Sequence, residues 1–417
     1  MEVEPIPQDV PEKVEPVENA DLVLGVLADV DQESLIALCD ALRTLSGSPR
    51  IAALQDDRAA SPAQTNSGAA KKIASPYLIP WPLPRADTPG SPLVSMAAAY
   101  QSVFAASEKL GARACCVIAS KIENPTLGWI RQLVQPLLED DFDLVMPHYA
   151  LRKFEGLLNS SILSPLTRCL YGKRIHNPMG PDLGISQHLF QKMLATERSA
   201  RAGGDPLNPL ASIAPVALCN NLKVCEVHVG PRVYPPTDWM NISSLLSQIL
   251  SPVLLDMERN ASCWQRTRAS IPVPAVGEPV VVAQDTGTVD ISRLLESFHL
   301  GIRDLEEIWG LVLPASTLLE LRKLSRLPLD QFRMPDELWV RIVFDFALAH
   351  RLRTINRDHL LKSMTPLYLA WVASYARDSE SADAPALKQR LDRLSTAYES
   401  GKSYLVSRWR WPDRFNP

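Results

Sequence analysis

Carboxylates and one lysine occupy the positions in this chain best suited to chemistry. Asp31 follows the apolar run Asp21 to Val26, Asp56 and Asp57 follow the run Arg50 to Leu54, and Lys121 follows Ala114 to Ala119. Each stands just past a segment that reads as a strand, and open α/β sheets bind ligands at the carboxyl ends of their strands. Short acids at such places also cap helices and solvate turns, so both roles stand for these three aspartates. Lys121 has two readings as well, a fixed cation facing an anionic group or a solvated turn lysine. Further on, Asp182 lies in the turn Pro178-Met-Gly-Pro-Asp-Leu-Gly-Ile-Ser186, and Asp205 follows Gly203-Gly204. A carboxylate so presented can hold a hydroxyl or steady positive charge developing at a carbon. Asp205 before Pro206 also has the form of a helix N-cap with proline in the first turn. Gly25 and Gly180 are candidates for close approach of backbone to a ligand.

The elements that would position these groups alternate. A buried strand at Asp21 to Val26, helical spacing over Glu33 to Leu42 and a strand at Arg50 to Leu54 imply a parallel crossover. Residues 55 to 92, rich in Ala, Ser, Pro and Asp, read as a long, mostly irregular excursion. A helix from about Val94 to Lys109 leads to the strand Ala114 to Ala119, then a helix (Arg131 to Leu138) and a strand (Phe142 to Met146). Lys223 to Val229 reads as a further strand. Ser243 to Arg266 is amphipathic and helical, 271 to 290 is loop-like, and from Ile291 onward the pattern is helical almost throughout. Trp309, Trp339, Phe344, Phe346, Tyr368 and Trp371 fall on apolar faces there. The expected organisation is an acidic, Pro-rich disordered leader at 1–19, an α/β domain at 20–242 and a helical C-terminal subdomain at 243–417.

Composition excludes several classes. The 417 residues are 46% hydrophobic and 22% charged, ordinary for a soluble globular chain. A formal net charge of -4 argues against nucleic acid or an anionic membrane as the main partner. No apolar run approaches the roughly 18 residues of a membrane helix, and the N-terminus does not read as a signal peptide. The seven cysteines lack metal-ligand spacing and sit in apolar surroundings, which reads as buried reduced thiols in a cytoplasmic protein.

The order of these motifs resembles the nucleotide-diphospho-sugar glycosyltransferases of the GT-A fold, and within them the bacterial glucosyl-3-phosphoglycerate and mannosylglycerate synthase-like family. Pro178 to Ser186 is similar to that family's Pro-Ile-Gly-Gly-Asp-Phe-Gly-Leu-Ser, with Pro181 in place of a glycine. Thr126-Leu-Gly-Trp-Ile130 matches its Thr-x-x-Trp-Ile helix, and Pro165-Leu-Thr-Arg-Cys-Leu-Tyr-Gly172 its Pro-Leu-x-Arg-x-Leu-Tyr-Gly. Pro366 to Leu369 and Lys402 to Trp409 extend the likeness into the helical part, where Arg408 and Arg410 are either phosphate contacts or helix-end cations. The resemblance implies an α/β, Rossmann-like mixed sheet with an α-helical C-terminal subdomain. It also implies hexosyl transfer from a nucleotide sugar with retention of anomeric configuration. Asp31 and Asp57, with Gly25 and Gly180, would contact the nucleotide sugar, while Asp182 and Asp205 would organise donor and acceptor.

The chain departs from the family where the metal belongs. The family's Asp-x-Asp loop, which holds Mg or Mn against the diphosphate, reads Ala119-Ser120-Lys121, with Glu123 the nearest acid. Tyr234 stands where the family has a second metal contact, a histidine. His228 nearby alternates with Val227 and Val229 and reads as a structural strand histidine. No metal is therefore expected, and Lys121 would balance the diphosphate. The acceptor turn reads Glu155-Gly-Leu-Leu-Asn-Ser160, without the arginine and threonines that grip phosphoglycerate in relatives. The competing expectation is a pseudo-glycosyltransferase that keeps the fold for binding or assembly. The acceptor is open, and a homodimer is one arrangement the sequence allows.

Overall fold

The computed structural model describes residues 19–27, 30, 32–56, 77–83, 92–119, 128–203, 207–232, 237–280, 282 and 289–412. They form two compact units. The first comprises the described residues within 1–119, 128–145 and 181–198, and the second those within 146–180 and 199–412.

The first unit is built from β1 (Leu22–Val26), α1 (Gln32–Leu42), β2 (Ile51–Asp56), β3 (Leu78–Trp81), α2 (Pro92–Lys109), β4 (Ala114–Ile118) and α3 (Gly128–Glu139). It continues through the start of β5 (Leu144–Ala150). Within the second unit come α4 (Ser164–Tyr171) and β6 (Lys173–Arg174). The chain then returns to the first unit with β7 (Leu183–Ser186) and most of α5 (Gln187–Ala202). β1 pairs in parallel with β2 and β4, and β2 in parallel with β3. β7 is antiparallel to β4 and to the Leu144–Val145 start of β5. In the first unit the strand order is β5-β7-β4-β1-β2-β3, a mixed α/β arrangement as the alternating pattern implies. β1 and β4 are continuous apolar runs because both faces of a parallel sheet are covered; every residue of β4 is buried.

One short strand went unread. Leu78-Ile-Pro-Trp81, inside the segment expected to be mostly irregular, is an edge strand beside β2. Its brevity and its proline hid it, and an edge is where a strand tolerates proline. Trp81 is buried and its Nε1 donates to Ser102 Oγ at 2.8 Å.

The second unit contains the rest of β5, then α4, β6, α6 (Pro209–Cys219), β8 (Val224–Pro231), α7 (Ile242–Arg259), α8 (Ala261–Trp264), β9 (Ile271–Pro272) and β10 (Ala275–Val276). The helices α9 (Ile291–Asp304), α10 (Glu306–Gly310), α11 (Ala315–Leu324), α12 (Asp336–Leu352), α13 (Arg357–Ser363), α14 (Thr365–Asp378) and α15 (Ala384–Arg410) follow. The loop expected at 271–290 thus contains two short strands, β9 on β6 and β10 on β8. α4 ends on Gly172 at φ 72°, whose missing Cβ leaves room for Ala269 O, 2.7 Å from where that carbon would stand. The expected aromatic anchors are core: Trp309, Trp339, Phe344, Phe346, Tyr368 and Trp371 are each at most 1% exposed. Trp371 stacks against Tyr375 at 5.4 Å between centroids. Side chains of this size bury about 150–250 Å² each, so this cluster dominates the unit's apolar burial.

The cysteine reading is corrected in part. Cys219, at the end of α6, is disulfide-bonded to Cys263 in α8, while Cys39, Cys115, Cys116, Cys169 and Cys225 are free and buried. The bonded pair is 44 residues apart in sequence, and only the packing of the helices brings it together. Arg408 is also settled by packing: 5% exposed, it pairs with Asp345 at 3.0 Å and donates to Tyr404 at 2.7 Å. Burial pushes Asp345 up to about 6 despite that arginine.

His350 of α12 is fully buried, and neither ring nitrogen has a hydrogen-bond partner among the described residues. Burial, helped by the Arg357 charge, pulls its pKa from 6.5 down to about 4. The unfolded chain takes up this proton below about 6.5 and the folded chain only near 4, so stability contributed by His350 is lost as pH falls through that window. The slope is at most about 1.4 kcal/mol per pH unit. In urea unfolding from pH 7 to 4, His350→Met should gain on the wild type as pH falls. Parallel profiles would show that His350 does not titrate this way.

Candidate functional site

In the first unit the crossover from β1 through α1 leads to β2 on one side, whereas that from β3 through α2 brings β4 to the other side of β1. The carboxyl ends of β1 and β4 therefore flank a topological switch point, the place where open α/β sheets leave a crevice for a ligand. At the end of β1 the Leu27 N–H donates to Ile118 O at 2.7 Å. The next residue of the β4 exit, Ala119, donates its N–H to Asp182 Oδ1 at 2.7 Å. Asp182 is 0% exposed, and its carboxylate holds the Ala119 N–H at the end of β4. A charge-assisted bond of this kind is about twice as strong as a neutral one.

Of the residues singled out from sequence, Asp182, Gly25 and Gly180 are described. Gly25 faces α2, where a Cβ would collide with Val103, so packing alone accounts for this glycine. Gly180, in the second unit, lies against Pro147; a Cβ would stand 3.2 Å from Pro147 Cγ, and the Gly180 N–H donates to Asn177 O at 3.0 Å. Asp31, Asp57, Lys121 and Asp205 lie outside the described residues, as do Glu123 and Tyr234. Asp56 closes β2.

The second unit contains a cleft of about 740 Å³ that the sequence reading did not identify. Its wall brings together His148 of β5, His176 after β6, and Glu226 and His228 of β8. Glu226 is 2% exposed and accepts twice from one residue: Oε1 from the His176 backbone N–H at 2.6 Å, and Oε2 faces His176 Nδ1 at 2.8 Å. The imidazole of His176 stays half-exposed in the cleft. His148 stacks on His176 at 3.7 Å between centroids and lies 4.7 Å from His228. Burial, then the neighbouring His176, His228 and Lys388, pull the His148 pKa down to about 3, so it is neutral and its lone pair is available at ordinary pH.

The turn expected to meet an acceptor lines the same cleft. Asn159 Nδ2 donates to His176 O at 2.6 Å and to Asn177 Oδ1 at 3.2 Å, and Asn177 Nδ2 donates to Pro147 O at 3.1 Å. Arg152, Lys153, Arg168, Arg174 and Lys388 also line it, against the acids Glu155, Glu226 and Asp392. Arg152 is spent on Glu155 at 3.0 Å, and Arg168 on Glu399 at 2.9 Å and Asp392 at 3.5 Å. A signal for Glu226 and His228 was present: two polar residues two apart on a strand share one face. His148 and His176, far apart in sequence, gave none.

Asp182→Ala would leave the partly buried Ala119 N–H without its carboxylate, a loss of about 1–3 kcal/mol. A urea midpoint within 0.3 kcal/mol of wild type, on the same order as the additivity error between sites, would mean the anchor is unimportant.

No protein-family model matches the sequence, and no curated protein matches it. Among solved structures, the chain is similar to glucosyl-3-phosphoglycerate synthase from Mycobacterium tuberculosis in complex with phosphoglyceric acid. The identity is 15% over 62% of this chain and 90% of that one, with a TM-score of 0.34. The same enzyme with Mn2+, UDP-glucose and phosphoglyceric acid gives 16% identity over 62% of this chain and 89% of that one, with a TM-score of 0.33.

Proposed function

We propose that this chain is a glycosyltransferase that moves a hexose from a nucleotide-diphospho-sugar to a small or glycosidic acceptor, without an Asp-x-Asp metal. The observation that carries the reading is the switch point between β1 and β4, with Asp182 buried beneath the β4 exit. That is the place in the sheet where the motif resemblance puts the donor, and the anchored exit leads directly into the Ser120-Lys121 segment. Lys121 would supply the fixed positive charge that the departing diphosphate needs. Asp31 and Asp57 would meet the nucleoside, and Asp205 the acceptor. Asp182 would act by holding the Ala119 N–H at the end of β4.

One feature favours a second reading, a pseudo-glycosyltransferase that binds without transferring. The β4 exit offers no acid at Ala119-Ser120-Lys121, so the hard-cation site that normally neutralises a diphosphate is lacking there.

Thermal unfolding with UDP-, GDP- and ADP-glucose, each with manganese or EDTA, tests the donor site. A ligand at 100 times its dissociation constant stabilises by about 2.7 kcal/mol, a shift of a few degrees. A shift that survives EDTA is expected with one nucleotide; no shift with any sugar nucleotide would sink the donor reading. With that nucleotide sugar, Lys121→Ala should cut turnover by about 10²–10³-fold, the usual cost of losing one charge-stabilising group. Donor binding without transfer or hydrolysis would favour the second reading.

A further inference from the structure

We infer that His148, His176 and Glu226 form a binding site for a borderline divalent cation of the zinc class, set in the wall of the second unit's cleft. The three side chains arrive from three separate elements, β5, the turn after β6 and β8, and one ligand atom from each lies within 4.8 Å of the others. The set is two imidazoles and one carboxylate, the donor chemistry that suits zinc, whereas magnesium and calcium take oxygen ligands.

Two observations support a cation at this position. Glu226 is an almost fully buried carboxylate whose described contacts are with His176, so a cation would meet an anion already removed from water. The cleft opens beside the set, which leaves a fourth coordination position for water or a ligand.

The geometry must adjust on binding. His176 Nδ1 and Glu226 Oε2 stand 2.8 Å apart across a shared proton. Ligand atoms around a tetrahedral ion at about 2.0–2.1 Å stand about 3.3–3.4 Å from one another. The ion would take the place of that proton, the pair would open by about half an ångström, and His148 would slide from its stack to close the set. Lys388 is a like charge that opposes the cation, but it is an exposed side chain screened by solvent. His228, beside His148, is available as a further ligand or a partner for the bound water.

The test uses the full chain, stripped with EDTA and free of nucleotide, so its result is independent of the donor site. Calorimetric titration with zinc should show one equivalent bound, and magnesium none at the same concentration. Cobalt should give the intense visible bands of a tetrahedral nitrogen and oxygen set. Glu226→Gln and the double variant His148→Asn/His176→Gln should weaken zinc by more than the roughly 10–100-fold that loss of an outer-shell partner costs. Far-ultraviolet circular dichroism of the metal-free variants reports whether they fold, and the wild-type cobalt spectrum stands if one does not. Zinc affinity unchanged in folded variants, a preference for magnesium, or an octahedral cobalt spectrum would each overturn the site.

Discussion

Gly184 is the constraint on which the first unit's site depends. A Cβ on this residue would stand 2.8 Å from Leu133 O and 2.6 Å from Leu137 Cδ1, both on α3. Only glycine lets that helix lie on β7, and β7 is the short antiparallel strand between β4 and the start of β5. The backbone of α3 cannot retreat as a side-chain tip could, since its buried Leu133, Val134 and Leu137 are committed to the core. Seating β7 sets the turn that precedes it, and with the turn the Asp182 carboxylate meets Ala119 N–H. One absent methyl group thus fixes where the chain leaves β4.

Much of this frame was legible because parallel strands and amphipathic helices leave strong periodic marks. β1 and β4 are unbroken apolar runs, and the aromatic anchors of α12 and α14 recur at helical spacing. The edge strand β3 was not legible, since four residues with a central proline carry no period of their own. The Cys219–Cys263 bond was not legible either, because a pairing across 44 residues depends on how α6, α7 and α8 pack. The histidine cluster failed for the same reason. Glu226 and His228 share a strand face, but nothing in their spacing points to His148 or His176.

Arginine was the residue type most open to misreading. Arg408 reads as a phosphate contact or, more commonly, a helix-end cation, and it does stand in the last turn of α15. It is buried against Asp345 and Tyr404 within its own unit. Arg390 is likewise held between Asp336 at 2.8 Å and Asp378 at 3.2 Å. Removing one member of such a pair strands a buried charge, which costs far more than the pair contributes. These arginines are therefore structural, and a fixed cation for an anionic ligand has to come from loops at the strand ends or the cleft wall.

The cleft cluster is not a displaced Asp-x-Asp metal loop. A metal that neutralises a diphosphate is a hard cation held by carboxylates, and it keeps waters and phosphate oxygens as its other ligands. Two imidazoles with one carboxylate select a softer ion and fix it by nitrogen. A fixed lysine charge at the β4 exit would make the first kind of metal unnecessary without creating a need for the second. The two sites answer different electrostatic problems. Under the proposed transfer, one would be a charge that appears on a leaving group; the other is a carboxylate, Glu226, already buried in the resting protein.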